Sequence, residues 1–261
     1  MFSIGRDRIK GKRFLGNMNV PHSLNNKTWA NHKDQIEKAS VSTAKASQAV
    51  AAEEARKAFD GPDITVSGDG TYQRRGFSSK NGVVTVITVN GEQSKVIDTE
   101  VLSNYCNSCT KKEKMHKDEP EAYERWKENH KDKDQCEQNH TGPAGAMEPV
   151  GAKRIFQRSE ENYGLRYVNY LGDGDSKTYA NLKNETIYDD IEINKLECCG
   201  HVQKRMGRQL TNKVTEMKGK TFYHNGKQMK GIGGQGKLTK KAILKIQGHY
   251  GAAIRLSLIH I

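Results

Sequence analysis

Between residues 63 and 102 the apolar side chains alternate with polar ones or gather in short β-branched runs, a spacing that predicts strands. The first strand is predicted over 63–68, with Ile64, Thr65 and Val66. "GVVTVITVN" at 82–90 and "SKVIDTEVL" at 94–102 supply the next two. "GTYQRRGFSSKN" links the first pair, and Asn90-Gly91 is a tight-turn signal between the second pair, so an antiparallel meander is expected. Upstream, residues 33–59 are rich in alanine and charge and predict one or two helices, stopped by Gly61 and Pro62. Residues 1–32 are polar and weakly patterned, and "NVPHSLNNKTW" reads as loop.

The pattern resumes after residue 146. "MEPVGAKRIFQRSEENY" at 147–163 predicts a helix with Val150, Ile155 and Phe156 on one face. "LRYVNYLGDGDS" at 165–176 predicts a fourth strand and "TYANLKNETIY" a helix. "EINKLECCGHVQKRMGRQL" predicts a short strand turning into a helix. "LTKKAILKIQGHYGAAIRL" closes with an amphipathic helix carrying Leu238, Ile243 and Ile246. Residues 103–146 break the pattern: they are rich in Lys, Glu, Cys and His and hold too few apolar positions for a core of their own.

Charge sharpens this division. The chain has a net charge of +12, and residues 202–261 hold all of that excess, with 13 Lys and Arg against the single acid Glu216. So basic a segment suits a polyanion, with nucleic acid the leading candidate; a solvated helical face is the plainer alternative. Lys204, Arg205, Arg208, Lys237, Lys240 and Lys241 are the candidate phosphate contacts. Only 34% of residues are hydrophobic, which predicts a small core for 261 residues. The N-terminus lacks the apolar stretch of a secretory signal, and no run approaches the ~18 apolar residues of a membrane span, so a non-secreted protein is expected.

Two strand ends carry acids. Asp69 after the first strand, and the Asp173/Asp175 pair after the fourth, share one order: apolar strand, glycine, aspartate, glycine. If those strands lie side by side, the carboxylates meet at one sheet edge and repel unless a cation stands between them. Magnesium or manganese suits such hard oxygen ligands and can handle phosphodiesters. Turn residues would explain each Asp-Gly separately.

In the polar insertion, Cys106-x-x-Cys109 followed by His130 and Cys136 has the makings of a tetrahedral zinc site, with His140 or His116 as substitutes. Zinc would then staple a segment that has no core. Free thiols in a polar loop are the alternative. "GIGGQG" at 231–236 fits a dinucleotide fingerprint formally, but no buried strand precedes it and no acid follows, so it reads as a loop.

Taken in order, "VSGDGTYQRRGFSSKNGVV", "GAMEPVGAKRIFQRS", "LRYVNYLGDGDSK" and "LECCGHVQKRMGRQL" resemble the Mutator-like transposase domain, an acidic-triad group of DNA transposases. The resemblance implies an α/β, ribonuclease-H-like mixed sheet with flanking helices. It implies catalytic, metal-holding acids at Asp69 and Asp173, with Asp175 the alternative register. Cys198 and His201 match the family's Cys-x-x-His motif. DNA strand cleavage and transfer, a nuclear location, and transposon ends and target DNA as partners follow from the same resemblance, with homo-oligomerisation left open. A DNA-binding relative without catalysis, and a metal-dependent nuclease on the same fold, are the rival expectations.

The family's third acid is not found downstream of His201, where Glu216 stands alone without a supporting motif. The final "LSLIHI", residues 256–261, resembles a translated sequencing adaptor, so a non-native tail on a truncated helical C-terminal part is expected. The expected organisation is a basic helical segment at 1–60 and a catalytic core at 61–255. That core would contain the Cys/His insertion at 103–146 and a basic helical insertion at 202–255.

Overall fold

The computed structural model describes residues 8–19, 25–75, 78–90, 94–132, 136–172, 176–189 and 191–259. The chain divides into two compact units, one up to Glu54 and one from Ala55 onward. The first unit comprises helix α1 (Arg8–Asn17) and most of helix α2 (Asn26–Ala58). α2 starts earlier than the sequence pattern predicts, inside a stretch that reads as loop. The cause is a cap: Asn25 Oδ1 accepts the Thr28 N–H at 2.8 Å, satisfying one of the helix's orphan donors. Its last turn lies in the second unit, where the N–H groups of Gly61 and Asp60 bond back to the carbonyls of Arg56 and Lys57. Asp60 takes the left-handed conformation (φ 52°) that such an ending requires.

The second unit is built on a five-stranded mixed sheet of β1 (Asp63–Tyr72), β2 (Asn81–Thr88), β3 (Val96–Ser103), β4 (Arg166–Gly172) and β5 (Asn194–Glu197). The strand order is β3-β2-β1-β4-β5. β1, β2 and β3 form the expected antiparallel meander; β4 pairs parallel to β1, and β5 parallel to β4. Three short helices, α3 (Asn107–Lys111), α4 (Glu113–Asp118) and α5 (Pro120–Asp132), fill the polar insertion. The helix predicted over 147–163 is two, α6 (Met147–Gln157) and α7 (Ser159–Tyr163), divided at Arg158. Helix α8 (Ser176–Lys183) makes the crossover between β4 and β5.

One face of the sheet holds the core. Ile64 and Val66 of β1, Val84 and Val86 of β2, and Tyr167 and Tyr170 of β4 are buried with Met147, Ala152, Ile155 and Phe156 of α6. Phe156 meets Tyr167 and Tyr170 edge-on, with ring centroids 5.1 and 5.9 Å apart. Val150, expected on the same helical face, is only half-buried. α6 approaches the sheet closely at Gly151, where a Cβ atom would stand 2.5 Å from Val84 Cγ2 and 2.8 Å from Leu102 Cδ1.

Arg158 secures the end of that helix. Its guanidinium donates to both carboxylate oxygens of the buried Asp98 at 2.8 Å, to the Thr99 carbonyl, and to Glu100. Arg154 adds a second bond to Glu100 at 3.0 Å. The hydrogen bonds to Asp98 hold the Arg158 guanidinium more firmly protonated than usual, and this bidentate pair stands on the core face of β3.

C-terminal to the sheet, α9 (Cys199–Glu216) and α10 (Lys240–Ile259) pack together, joined through a two-stranded ribbon of β6 (Thr221–His224) and β7 (Lys227–Lys230). The helices meet through reciprocal contacts: Gln247 of α10 lies over Gly207 of α9, and Gln203 of α9 lies over Gly251 of α10. Of the predicted apolar positions on α10, Ile243 is buried and Ile246 is exposed. The glycine run at 231–236 is a loop, with positive φ at Gly231, Gly234 and Gly236.

Gly151→Val tests the helix-on-sheet contact. The added carbons would collide with Val84 and Leu102, and overpacking of this kind costs about 1–3 kcal/mol. A lower urea midpoint by circular dichroism is the expected outcome; an unchanged midpoint would show that α6 can lift without cost.

Candidate functional site

The polar insertion carries a formed cluster. The Cys-x-x-Cys segment sits where β3 gives way to α3: Cys106 caps the helix in extended conformation, and Cys109 lies in its only turn. α5 brings the third donor, and Cys136 follows it. The donor atoms of Cys106, Cys109, His130 and Cys136 all lie within 4.8 Å of one another. Cys106 Sγ is 3.3 Å from His130 Nε2, and Cys109 Sγ is 3.7 Å from Cys136 Sγ. A zinc tetrahedron with bonds of about 2.3 Å to sulfur has edges of about 3.8 Å, so three sulfurs and one imidazole at these separations fit that ion. The cluster could hold a metal such as zinc. These are the four first-choice ligands of the sequence reading. The substitutes lie elsewhere: His140 is buried outside the set, and His116 meets the Tyr123 ring at a tilt, with centroids 4.6 Å apart.

α5 aims its ligand through a ring ladder that the sequence reading passed over. Tyr123, Trp126 and His130 share one helical face, and the Trp126 indole lies nearly parallel to the His130 ring, with centroids 4.8 Å apart. The signal was present in the i, i+3, i+7 spacing of "YERWKENH", within a segment that reads by composition as simply solvated.

The thiols are electrostatically unequal. Burial opposes ionisation of Cys106, but hydrogen bonds from the Cys109 N–H, the His130 ring and the Glu137 N–H outweigh it and bring its pKa down to about 6. Burial, together with the neighbouring Cys136 and Cys106 sulfurs, pushes Cys109 up to about 12. Thiolates this close repel, so full ionisation of the set calls for a cation among them.

The acidic strand end is built differently. β1 does not stop at residue 68 as the glycines predict. It runs through Asp69, opposite Thr85 of β2, and on to Tyr72. Pairing with β4 ends earlier, at Ser67 opposite Leu171. Asp69 therefore lies on a stretch of β1 flanked, among the described residues, by β2 alone. It is exposed, and its Oδ1 accepts the Gly70 N–H at 2.9 Å. Asp173 and Asp175 lie outside the described residues, and β4 is followed up to Gly172.

Glu148, at the start of α6, was not singled out from the sequence and now stands against this strand. A Cβ on Gly70 would be 3.0 Å from Glu148 Oε2, and Glu148 Oε1 accepts the Thr178 hydroxyl at 3.3 Å. Gly70 thus faces α6, and the strand's pleat sends the neighbouring Asp69 side chain to the opposite face.

Cys198 caps α9, and the His201 N–H bonds to its carbonyl at 2.9 Å; among the described residues neither joins a cluster of three or more metal-ligating side chains. Lys204, Arg205 and Arg208 are exposed on α9, with Arg205 ion-paired to Glu197. Lys237 turns inward and donates to the carbonyls of Lys230 and Gly231 at 3.0 and 2.8 Å. Lys240 and Lys241 occupy the exposed first turn of α10, where the helix dipole is already positive and no acid offsets them. Among the described residues no helix is long and apolar enough to cross a membrane.

The family model for the Mutator-like transposase matches residues 1–258, and the chain belongs to that family. Neither a curated protein nor a solved structure matches it.

Two measurements test the cluster. The chain purified with zinc is expected to hold one equivalent, released on chelation and lost in Cys109→Ser. Because the thiols must shed protons to ligate, loading at neutral pH should acidify an unbuffered solution, and affinity should rise with pH. In a Trp29→Phe background, chelation should shift Trp126 emission; unchanged emission would mean that the ring ladder does not sense the metal.

Proposed function

We propose that this protein is a DNA transposase whose sheet cleaves and joins DNA strands, using Asp69 with Asp173, or Asp175 in the alternative register, to hold magnesium or manganese. The parallel pairing of β1 with β4 carries this reading. Its last pair, Ser67 with Leu171, falls two residues before Asp69 on one strand and two before Asp173 on the other. The mixed sheet, with its antiparallel meander first and β4 and β5 added in parallel, supports the ribonuclease-H-like core that the resemblance implies. Family membership supports the same reading.

Asp69 suits a hard cation: its carboxylate is exposed and offers oxygen donors, with Oδ1 accepting the neighbouring Gly70 N–H. Such ions, when bound, would supply polarisation of a phosphodiester and an acidified water. The chain's own part is to fix the carboxylate on a strand clamped by β2 and to bring basic side chains to the phosphates. Lys204, Arg208, Lys240 and Lys241 are the exposed cations that best serve this, while Lys237 closes its own loop. A nuclear site of action follows for a eukaryotic host.

Magnesium-dependent nicking of duplex DNA bearing the element's ends is the test. Asp69→Asn and Asp173→Asn should each abolish nicking and leave duplex affinity unchanged. Nicking that survives Asp69→Asn would remove the strand from the chemistry. Duplex binding without nicking by the unsubstituted protein would mark it as a DNA-binding relative, and preference for RNA–DNA hybrids would mark it as a nuclease of the same fold.

A further inference from the structure

We infer that the β6–β7 ribbon enters the major groove of duplex DNA and reads base edges with Thr221, Tyr223, Gln228 and Lys230. The inference rests on the DNA-acting reading above and adds to it a sequence-reading element. The ribbon's turn, Asn225-Gly226, has φ of 48° and 73°, the left-handed pair that matches the twist of a two-residue hairpin. The Gly231 N–H closes its base on the Lys220 carbonyl at 2.9 Å, so the strands project as one formed unit.

The pairing sorts the side chains onto two faces. Phe222 lies opposite Met229, and both are half-buried. On the other face Thr221 lies opposite Lys230 and Tyr223 opposite Gln228; all four are exposed, Tyr223 at 74%. A face of hydroxyl, phenol, amide and ammonium gives a solvated ribbon nothing to bury, yet it carries the donors and acceptors that base edges require. Gln pairs two-fold with adenine, Lys donates to guanine, and Tyr and Thr contact either polar edges or the thymine methyl.

Charge names the partner. From residue 217 to the end of the chain there are nine Lys and Arg and no acid. Among the described residues, Glu216, just before the ribbon, pairs with Lys213 and Lys220, and no ion pair engages Lys227 or Lys230. A two-stranded ribbon matches the ~12 Å width of the major groove. Flanking lysines on phosphate would hold it there and add salt dependence without sequence information.

The test is selection of duplexes from a randomised pool by the whole chain, followed by affinity measurements on the enriched and a scrambled duplex. The protein should enrich a short motif. Gln228→Ala and Tyr223→Ala should each lower affinity for that motif by about ten-fold or more and leave the scrambled duplex unaffected. Gln228→Glu, which keeps the shape of the side chain, should change the enriched base at one position. Lys227→Ala should weaken both duplexes alike and reduce the salt slope by about one. Equal losses on both duplexes in the Gln228 and Tyr223 variants, or losses confined to single-stranded DNA, would overturn base reading and leave the transposase proposal standing. No duplex binding by the unsubstituted chain would overturn both.

Discussion

The parallel pairing of β1 with β4 is the constraint on which the second unit depends. It joins segments about a hundred residues apart in the chain, Asp63 opposite Arg166 and Ser67 opposite Leu171. Closing so long a loop costs entropy that neither strand recovers by itself. The return comes from the face the pair creates: Ile64 and Val66 sit beside Tyr167 and Tyr170, and α6 covers them with Phe156 and Ile155. The Arg166–Asp63 ion pair at 2.6 Å marks where the pairing begins. Arg56, at the end of α2, donates to the Tyr163 carbonyl at 2.5 Å, just ahead of β4.

What the sequence made readable was whatever carries a local period. The meander was visible because β2 alternates buried and half-buried residues along its whole length and β-branched residues fill it. The Cys/His cluster was visible because Cys-x-x-Cys is itself a local geometry. β1 was cut short at residue 68 because Gly68, Asp69 and Gly70 have poor strand propensity; β2 overrides it by pairing as far as Tyr72 with Gly82. The β6–β7 ribbon was missed for the opposite reason. With Thr221, Tyr223, Gln228 and Lys230 on one face, and His224 and Lys227 beside Phe222 and Met229 on the other, it offers no clear apolar alternation, although Asn225-Gly226 is itself a tight-turn dipeptide.

The insertion between β3 and α6 shows how a segment without a core can still hold a shape. Tyr123 is buried, but α5 is otherwise largely polar, and its order comes from rings and sulfurs rather than from aliphatic packing. The insertion is also tied back to the sheet by Asn139, which accepts the Ser103 N–H at 2.8 Å and donates to the Val101 carbonyl at 2.8 Å. Strand β3 therefore has an edge partner made of side chain and loop, which blunts an otherwise open sheet edge.

The glutamine-over-glycine contacts between α9 and α10 bear on reach. Two helices interlocked at both Gly207 and Gly251 behave as a stiff strut, and α9, with 18 residues, is about 27 Å long. One end of that strut begins beside β5 at the sheet edge, and the other carries the ribbon. A molecule gripping a double helix at both ends would span about eight base pairs, roughly three quarters of a turn, so the two grips would meet sides of the duplex about a quarter-turn apart.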